Sequence, residues 1–473
     1  MIEYITIGPE IVLLTCTILV LVIDLFLKDK NITYYLTISS LIFTLSAIIL
    51  LVPQSKQIIF YGSFISDNLS ALLKVIVVIS VLFTLIYSKN YLKEQKMLNG
   101  EFLTLSLFAL LGMMIMISSA NMLNIYLGLE LLSLSLYAMV ALQNKSKTAA
   151  ESAIKYFVLG ALASGLLLYG MSLIYGITGT LNITQIGAFF IENQPDKLSI
   201  LALIFIISGL GFKLGAVPFH MWLPDVYEGS PTPVTTYIAT APKVAVFAIF
   251  LRLLTEGFIT LHIQWAQVLI VLSILSLVLG NIVAIAQHNL KRMLAYSAIS
   301  HAGFIMLGLL AGTNIGYSAA VFYVITYAIT TTVIFGIILF LSHDNKQCEN
   351  LEDLKELNKT HPWFAFLMLI ALFSLIGVPP TVGFYAKLAV LHAIIDAGYS
   401  YLAIIAVITS VIGAFYYLRV IKYMYFDKNQ NPPQLNKNTN FLMKATITIN
   451  ALIILALGIY PAILMTYTTY VMK

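Results

Sequence analysis

The chain has 473 residues, 60% of them hydrophobic and only 10% charged, with a net charge of +5. Soluble domains are roughly half apolar and a quarter charged, so this composition excludes an ordinary soluble fold. The positive charge needs no nucleic-acid partner, because lysines gathered in cytoplasmic loops account for it.

Taken in chain order, apolar runs long enough to cross a hydrocarbon core of roughly 30 Å recur from end to end. Hydropathy and punctuation predict about fourteen helices, at 7–27, 33–52, 67–88, 102–118, 121–142, 152–177, 198–221, 232–255, 265–287, 293–312, 316–342, 362–396, 400–425 and 441–466. The first reads as a span and not a signal peptide, since no basic stretch precedes it and no small-residue cleavage site follows. Basic residues check the count. With the N-terminus outside, inner loops collect Lys28, Lys30, Lys89, Lys93, Lys96, Lys145, Lys147, Lys291, Arg292, Lys346, Lys355, Lys359, Lys422, Lys428 and Lys437, against Lys56, Lys197, Arg252 and Lys473 outside. Both termini are therefore expected on the outer side.

Two spans read as interrupted. The seventh holds Gly211, Gly215 and Pro218, and the twelfth holds Gly377-Val-Pro-Pro-Thr-Val-Gly383, where proline removes backbone donors. Paired interruptions mark inverted-repeat transporters. The expected class is thus an all-α polytopic membrane protein with two inverted five-helix repeats and broken helices 7 and 12. Its segments are a three-helix stretch (1–98), a first repeat of helices 4–8 (99–258), a second repeat of helices 9–13 (259–430) and a fourteenth helix (431–473). Ser152-Ala-Ile-Lys-Tyr-Phe-Val158 faintly echoes Ser318-Ala-Ala-Val-Phe-Tyr-Val324. The Leu351-Glu-Asp-Leu-Lys-Glu-Leu357 stretch is expected to be a short amphipathic helix in a cytoplasmic loop, with a solvated face.

Charged residues inside spans are the informative ones: Lys74, Glu130, Lys155, Lys213, Lys243 and Lys387. Each costs about 2.5–3.5 kcal/mol at mid-membrane, so pairing, internal water or function must retain it. Three buried amines against one carboxylate favour function for Glu130, Lys213, Lys243 and Lys387. Burial disfavours an ammonium and a nearby carboxylate favours it, so moving Glu130 relative to Lys213 would switch that amine between holding and releasing a proton. Lys74 and Lys155, near helix ends, fit snorkelling equally well. His220, Tyr296 and His301 are secondary relay candidates, with helix-to-helix hydrogen bonding the equal alternative, as it is for Asp225 and Glu228. Cys16 and Cys348 have no C-x-x-C spacing, no metal-ligand or Ser/His/Asp pattern occurs, and Ser208-Gly-Leu-Gly-Phe-Lys-Leu-Gly215 lacks the flanking pattern of a dinucleotide site. No cofactor or metal is expected on this chain.

Gly211-Phe-Lys-Leu-Gly-Ala-Val-Pro-Phe-His-Met-Trp-Leu-Pro-Asp-Val-Tyr-Glu-Gly-Ser-Pro-Thr-Pro233 closely resembles the seventh-helix signature of the antiporter-like subunits of complex I and of multisubunit cation/proton antiporters. Leu290-Lys-Arg-Met-Leu-Ala-Tyr-Ser-Ala-Ile-Ser-His-Ala-Gly303 resembles that family's tenth-helix entry, and Gly377–Lys387 its broken twelfth helix. An end soon after the fourteenth span, and Lys387 where one paralogue carries glutamate, resemble the family's N-type branch in bacterial NADH:quinone oxidoreductase.

The resemblance implies that Glu130, Lys213, Lys243 and Lys387 form a proton pathway. It also implies that NADH, FMN, iron–sulfur clusters and quinone belong to partner subunits, and that the neighbours are antiporter-like subunit M and small subunits J and K in a bacterial inner membrane. Two other readings use the same residues: a subunit of a cation/proton antiporter or energy-converting hydrogenase, and a structural scaffold whose charges merely pair.

Overall fold

The computed structural model describes residues 2–143, 146–342, 347–428 and 441–472. The expected inner-loop residues Lys145, Lys346 and Lys437, and the expected boundary at 430/431, lie outside the described residues. Among the described residues, thirteen helices are long and apolar enough to cross a membrane. The remaining expected span, the twelfth, is split into Pro362–Ile376 and Val382–Asp396, so the all-α polytopic class holds and the broken helix explains the difference in count. Each half is too short alone because the chain turns at Gly377, whose φ of +90° is the left-handed conformation that glycine adopts freely.

The seventh span also stops early, running Lys197–Leu214, before Gly215 (φ +78°) and a cis Val217–Pro218 bond lead into a short helix at Trp222–Gly229. A third break was not anticipated. The eighth span is Thr232–Ala239, then Ala241–Arg252, then a π-helical turn Leu253–Gly257. The signal was Pro242, which removes a donor and disfavours helix just before it.

The chain forms two compact units. The first comprises residues 1–82, 96–214 and 241–268, and the second 83–95, 215–240 and 269–473. Each contains the same backbone clasp. In the first unit, Asn121 caps the fifth span through Leu123 N (2.8 Å) and Asn182 caps the helix Ile183–Glu192 through Gln185 N (3.1 Å). Between them, Met122 N donates to Leu181 O and Ile183 N to Ala120 O.

In the second unit, Asn289 caps the tenth span through Arg292 N (3.0 Å), and Leu290 N donates to Glu349 O while Leu351 N donates to His288 O. Asn289 pairs with Asn350 as Asn121 does with Asn182, at the same sequence separation. A clasp built from capping asparagines satisfies helix-end donors while fixing where the next loop docks, and its recurrence identifies an internal repeat.

Two loop elements were not visible in the sequence: the Ile183–Glu192 helix, and a hairpin pairing Gln57–Ile59 with Phe64–Ser66. Asn182 Nδ2 ties them together by donating to Gly62 O at 2.7 Å. The 351–357 stretch is a 3-10 turn, Leu351–Leu354, followed by a helical turn beginning at Leu357, and its three leucines are fully buried. It is an anchor more than a solvated face.

Several cations expected in loops fall inside helices and are structural. Lys291, only 1% exposed, pairs with Glu349 at 2.5 Å and donates to Ser230 O. Arg252 is buried against Asp67 (2.7 Å) and Glu256 (3.2 Å), with Lys56 also on Glu256 (3.1 Å).

Candidate functional site

In the first unit, Glu130, Ser133 and Tyr137 fall at i, i+3 and i+7 of the fifth span, Met122–Ala141, and so share one face. Lys213, one residue before the seventh span ends, reaches this face. Its amine donates to Ser133 Oγ at 2.7 Å and Tyr137 OH at 3.3 Å, and lies 5.7 Å from the Tyr137 ring centre. No hydrogen bond joins Lys213 to Glu130 among those recorded, and Glu130 Oε1 is buried without a hydrogen-bond partner. Ser133 sits one turn on and takes the amine. Tyr137 is held there because its hydroxyl occupies the space where Gly160 would carry a side chain; an ideal Cβ at Gly160 would meet that oxygen.

Lys243 enters on the third residue after the break in the eighth span. Its amine donates to Leu214 O at 2.5 Å, the last carbonyl of the first half of the seventh span. Carbonyls at a helix C-terminus lack intrahelical partners and carry partial negative charge, so a buried amine is stabilised there.

The second unit repeats this device with other side chains. Lys387 donates to Ile376 O at 2.8 Å, the last carbonyl of the twelfth span's first half, and to Ser410 Oγ at 2.7 Å. The Lys387 stem lies 2.9 Å from the position a Gly377 Cβ would take. His301 is buried, with Nδ1 on Tyr323 OH (2.7 Å) and Nε2 on Tyr417 OH (3.1 Å), and Ser297 also contacts Tyr417 OH. A cavity of ≈ 10 Å³, enough for about one water, connects His301, Tyr323, Tyr327 and Lys387.

Other expected residues are not brought together with these. Lys155 lies near the start of the sixth span with its side chain 43% exposed, paired with Glu151 at 2.8 Å. His220 is buried in the turn after the seventh span, with Nδ1 unpartnered. Tyr296 is half-buried and roughly 140° around the tenth span from His301. Asp225 and Glu228 both pair with Arg292, at 2.7 and 2.9 Å. Lys74 does not snorkel: it pairs at 2.5 Å with Glu10, and both side chains are 5% exposed. Glu10 was overlooked because it falls in the first turn of its span, where a charge is expected to reach water. The polar neighbours Ser133, Tyr137, Tyr323, Ser410 and Tyr417 were also missed, although helical spacing from Glu130 pointed to the first two.

A bundle of spans with broken helices and buried lysines on their carbonyl ends defines an antiporter-like membrane protein. Residues 119–413 match the model of the "NADH:quinone oxidoreductase/Mrp antiporter" transmembrane family, and residues 1–89 that of the "NAD(P)H-quinone oxidoreductase subunit 2 N-terminal" region. The NADH-quinone oxidoreductase subunit N of Thioalkalivibrio sulfidiphilus is 51% identical over 99% of this chain and 98% of its own length.

A chain of respiratory complex I from Thermus thermophilus is 31% identical, with a TM-score of 0.84 over 97% of this chain and 98% of that one. A chain of the membrane-bound sulfane sulfur reductase, an archaeal respiratory membrane complex, is 26% identical, with a TM-score of 0.88 over 99% and 97%. The chain belongs to the subunit N family of NADH-quinone oxidoreductase.

Proposed function

We propose that this chain moves protons across the bacterial inner membrane through Glu130, Lys213, Lys243 and Lys387, driven by quinone reduction elsewhere in the complex. The observation that carries this reading is a contrast among lysines that are buried or half-buried. Lys74 and Lys291 bond to carboxylates, as structural lysines do, whereas the hydrogen bonds of Lys213 and Lys387 go to hydroxyl or carbonyl oxygens, and Lys243 donates to the carbonyl of Leu214. A neutral amine keeps such bonds when it gives up its proton, while an ion pair would be broken.

The mechanism follows from Glu130. Its carboxylate lies one turn from Ser133, without a partner on Oε1. Drawn toward Lys213, it favours the ammonium; drawn away, it lets the proton leave toward Lys243 and then Lys387, with His301 and its tyrosines as relay groups. The charge shift that moves Glu130 originates in partner subunits, which carry NADH, FMN, the iron–sulfur clusters and quinone; subunits M, J and K are the neighbours, and both termini face outward. In assembled complex in proteoliposomes, Lys243→Ala is expected to abolish NADH-driven proton uptake. Uptake per NADH at the wild-type ratio would leave the scaffold reading in place.

A further inference from the structure

In the second unit, an apolar cleft of ≈ 350 Å³ runs between the twelfth and thirteenth spans and ends at Lys387 and Ser410. Its walls include Leu388, Val407 and Val411, which are 49, 46 and 69% exposed, so its mouth opens on the apolar outer surface of the unit, where lipid would lie. We propose that this cleft binds a long-chain fatty acid, with its carboxylate on Lys387 and Ser410 and its tail along Val407 and Val411.

Three observations lead there. An ammonium has three donors, and those of Lys387 recorded as spent go to Ile376 O and Ser410 Oγ. Ser410 accepts one of these and retains its own O–H. Once the amine is protonated, one N–H of Lys387 and the O–H of Ser410 are left over on two residues that both line the cleft, the donor pair that a two-oxygen carboxylate fits. Moreover, no ion pair to Lys387 occurs among the described residues, so a carboxylic acid arriving from the membrane meets an amine with no competing carboxylate. The Phe304 ring, 5.1 Å from the amine, bounds its other side.

A fatty acid can reach this depth because it crosses lipid in its neutral form. On binding, its O–H breaks as a third N–H forms on the Lys387 amine, leaving a carboxylate–ammonium pair and bringing no net charge into the membrane. A phospholipid tail could enter the same walls but would present no acid to the amine. The binding claim does not depend on Lys387 carrying protons.

The test is photolabelling of the intact purified complex in phosphatidylcholine vesicles with a diazirine-bearing hexadecanoic acid, followed by peptide mapping. Label is expected on the twelfth and thirteenth spans. K387M should reduce it by at least about tenfold, the worth of a charge-assisted hydrogen bond. V411W, which fills the cleft and leaves Lys387 in place, should reduce it as much, and the methyl ester of the same probe should label no better than K387M. Equal labelling by ester and acid would overturn the proposal in favour of a plain lipid-tail groove. Undiminished labelling of V411W would place the acid elsewhere and overturn it too.

Discussion

At the scale of single residues, the buried charges were legible and their partners mostly were not. A lysine in an apolar run announces itself by its insertion cost, but which oxygen it meets depends on packing between spans. The sequence therefore pointed to Glu130 for Lys213, and Ser133 holds the amine instead. Ser133 then acts as a positioning residue. Ser133→Ala is expected to slow NADH-driven quinone reduction by about tenfold, the value of one hydrogen bond to a charged group, and Ser133→Thr should restore most of it. Steady-state rates in membranes with equal amounts of assembled complex check this. Glu10 shows the opposite failure, since a carboxylate near a helix end looks solvated until Lys74 is seen beside it.

At the scale of elements, spans were legible from apolar length, and two of the three breaks from glycine and proline. The break before Ala241 was missed because a single proline two residues into a helix is also an ordinary helix start. The hairpin, the 183–192 helix and the Arg252 cluster were invisible because their stability comes from long-range contacts. In that cluster, burial pushes the Asp67 carboxyl up, but the Arg252 guanidinium and the Ser70 bonds outweigh it and hold it below the usual carboxylate value.

A depressed folded-state pKa stabilises above the unfolded value, near 3.8, and that stability is lost as pH falls further through the folded one. Asp67→Asn is therefore expected to cost about 2–3 kcal/mol at neutral pH, at the low end because Glu256 remains on Arg252. The difference from wild type should shrink only below about pH 4. Thermal unfolding of the complex as a function of pH measures it; an equal deficit at every pH would contradict the assignment.

At the scale of the whole molecule, the membrane class and the repeat followed from composition and paired interruptions, and the asparagine clasps supply the repeat's physical form. The orientation argued from lysine placement can be tested by labelling single cysteines with an impermeant maleimide in sealed inverted vesicles. Lys96→Cys should react and Lys197→Cys should not; the reverse pattern would turn the topology over. Background on this chain is small because Cys16 lies within the first span, Gly8–Phe26, where an impermeant reagent does not reach, and Cys348 is buried, with its thiol pKa pushed up by burial and by Asp353 and Glu349.

The central claim, that these buried lysines carry the coupled proton, is met most directly by Lys213→Ala in fully assembled complex, with NADH-driven quinone reduction and proton uptake measured together. Loss of both activities from intact complex is the predicted result. Persistence of both at wild-type rates would show the buried charges to be structural and contradict the mechanism.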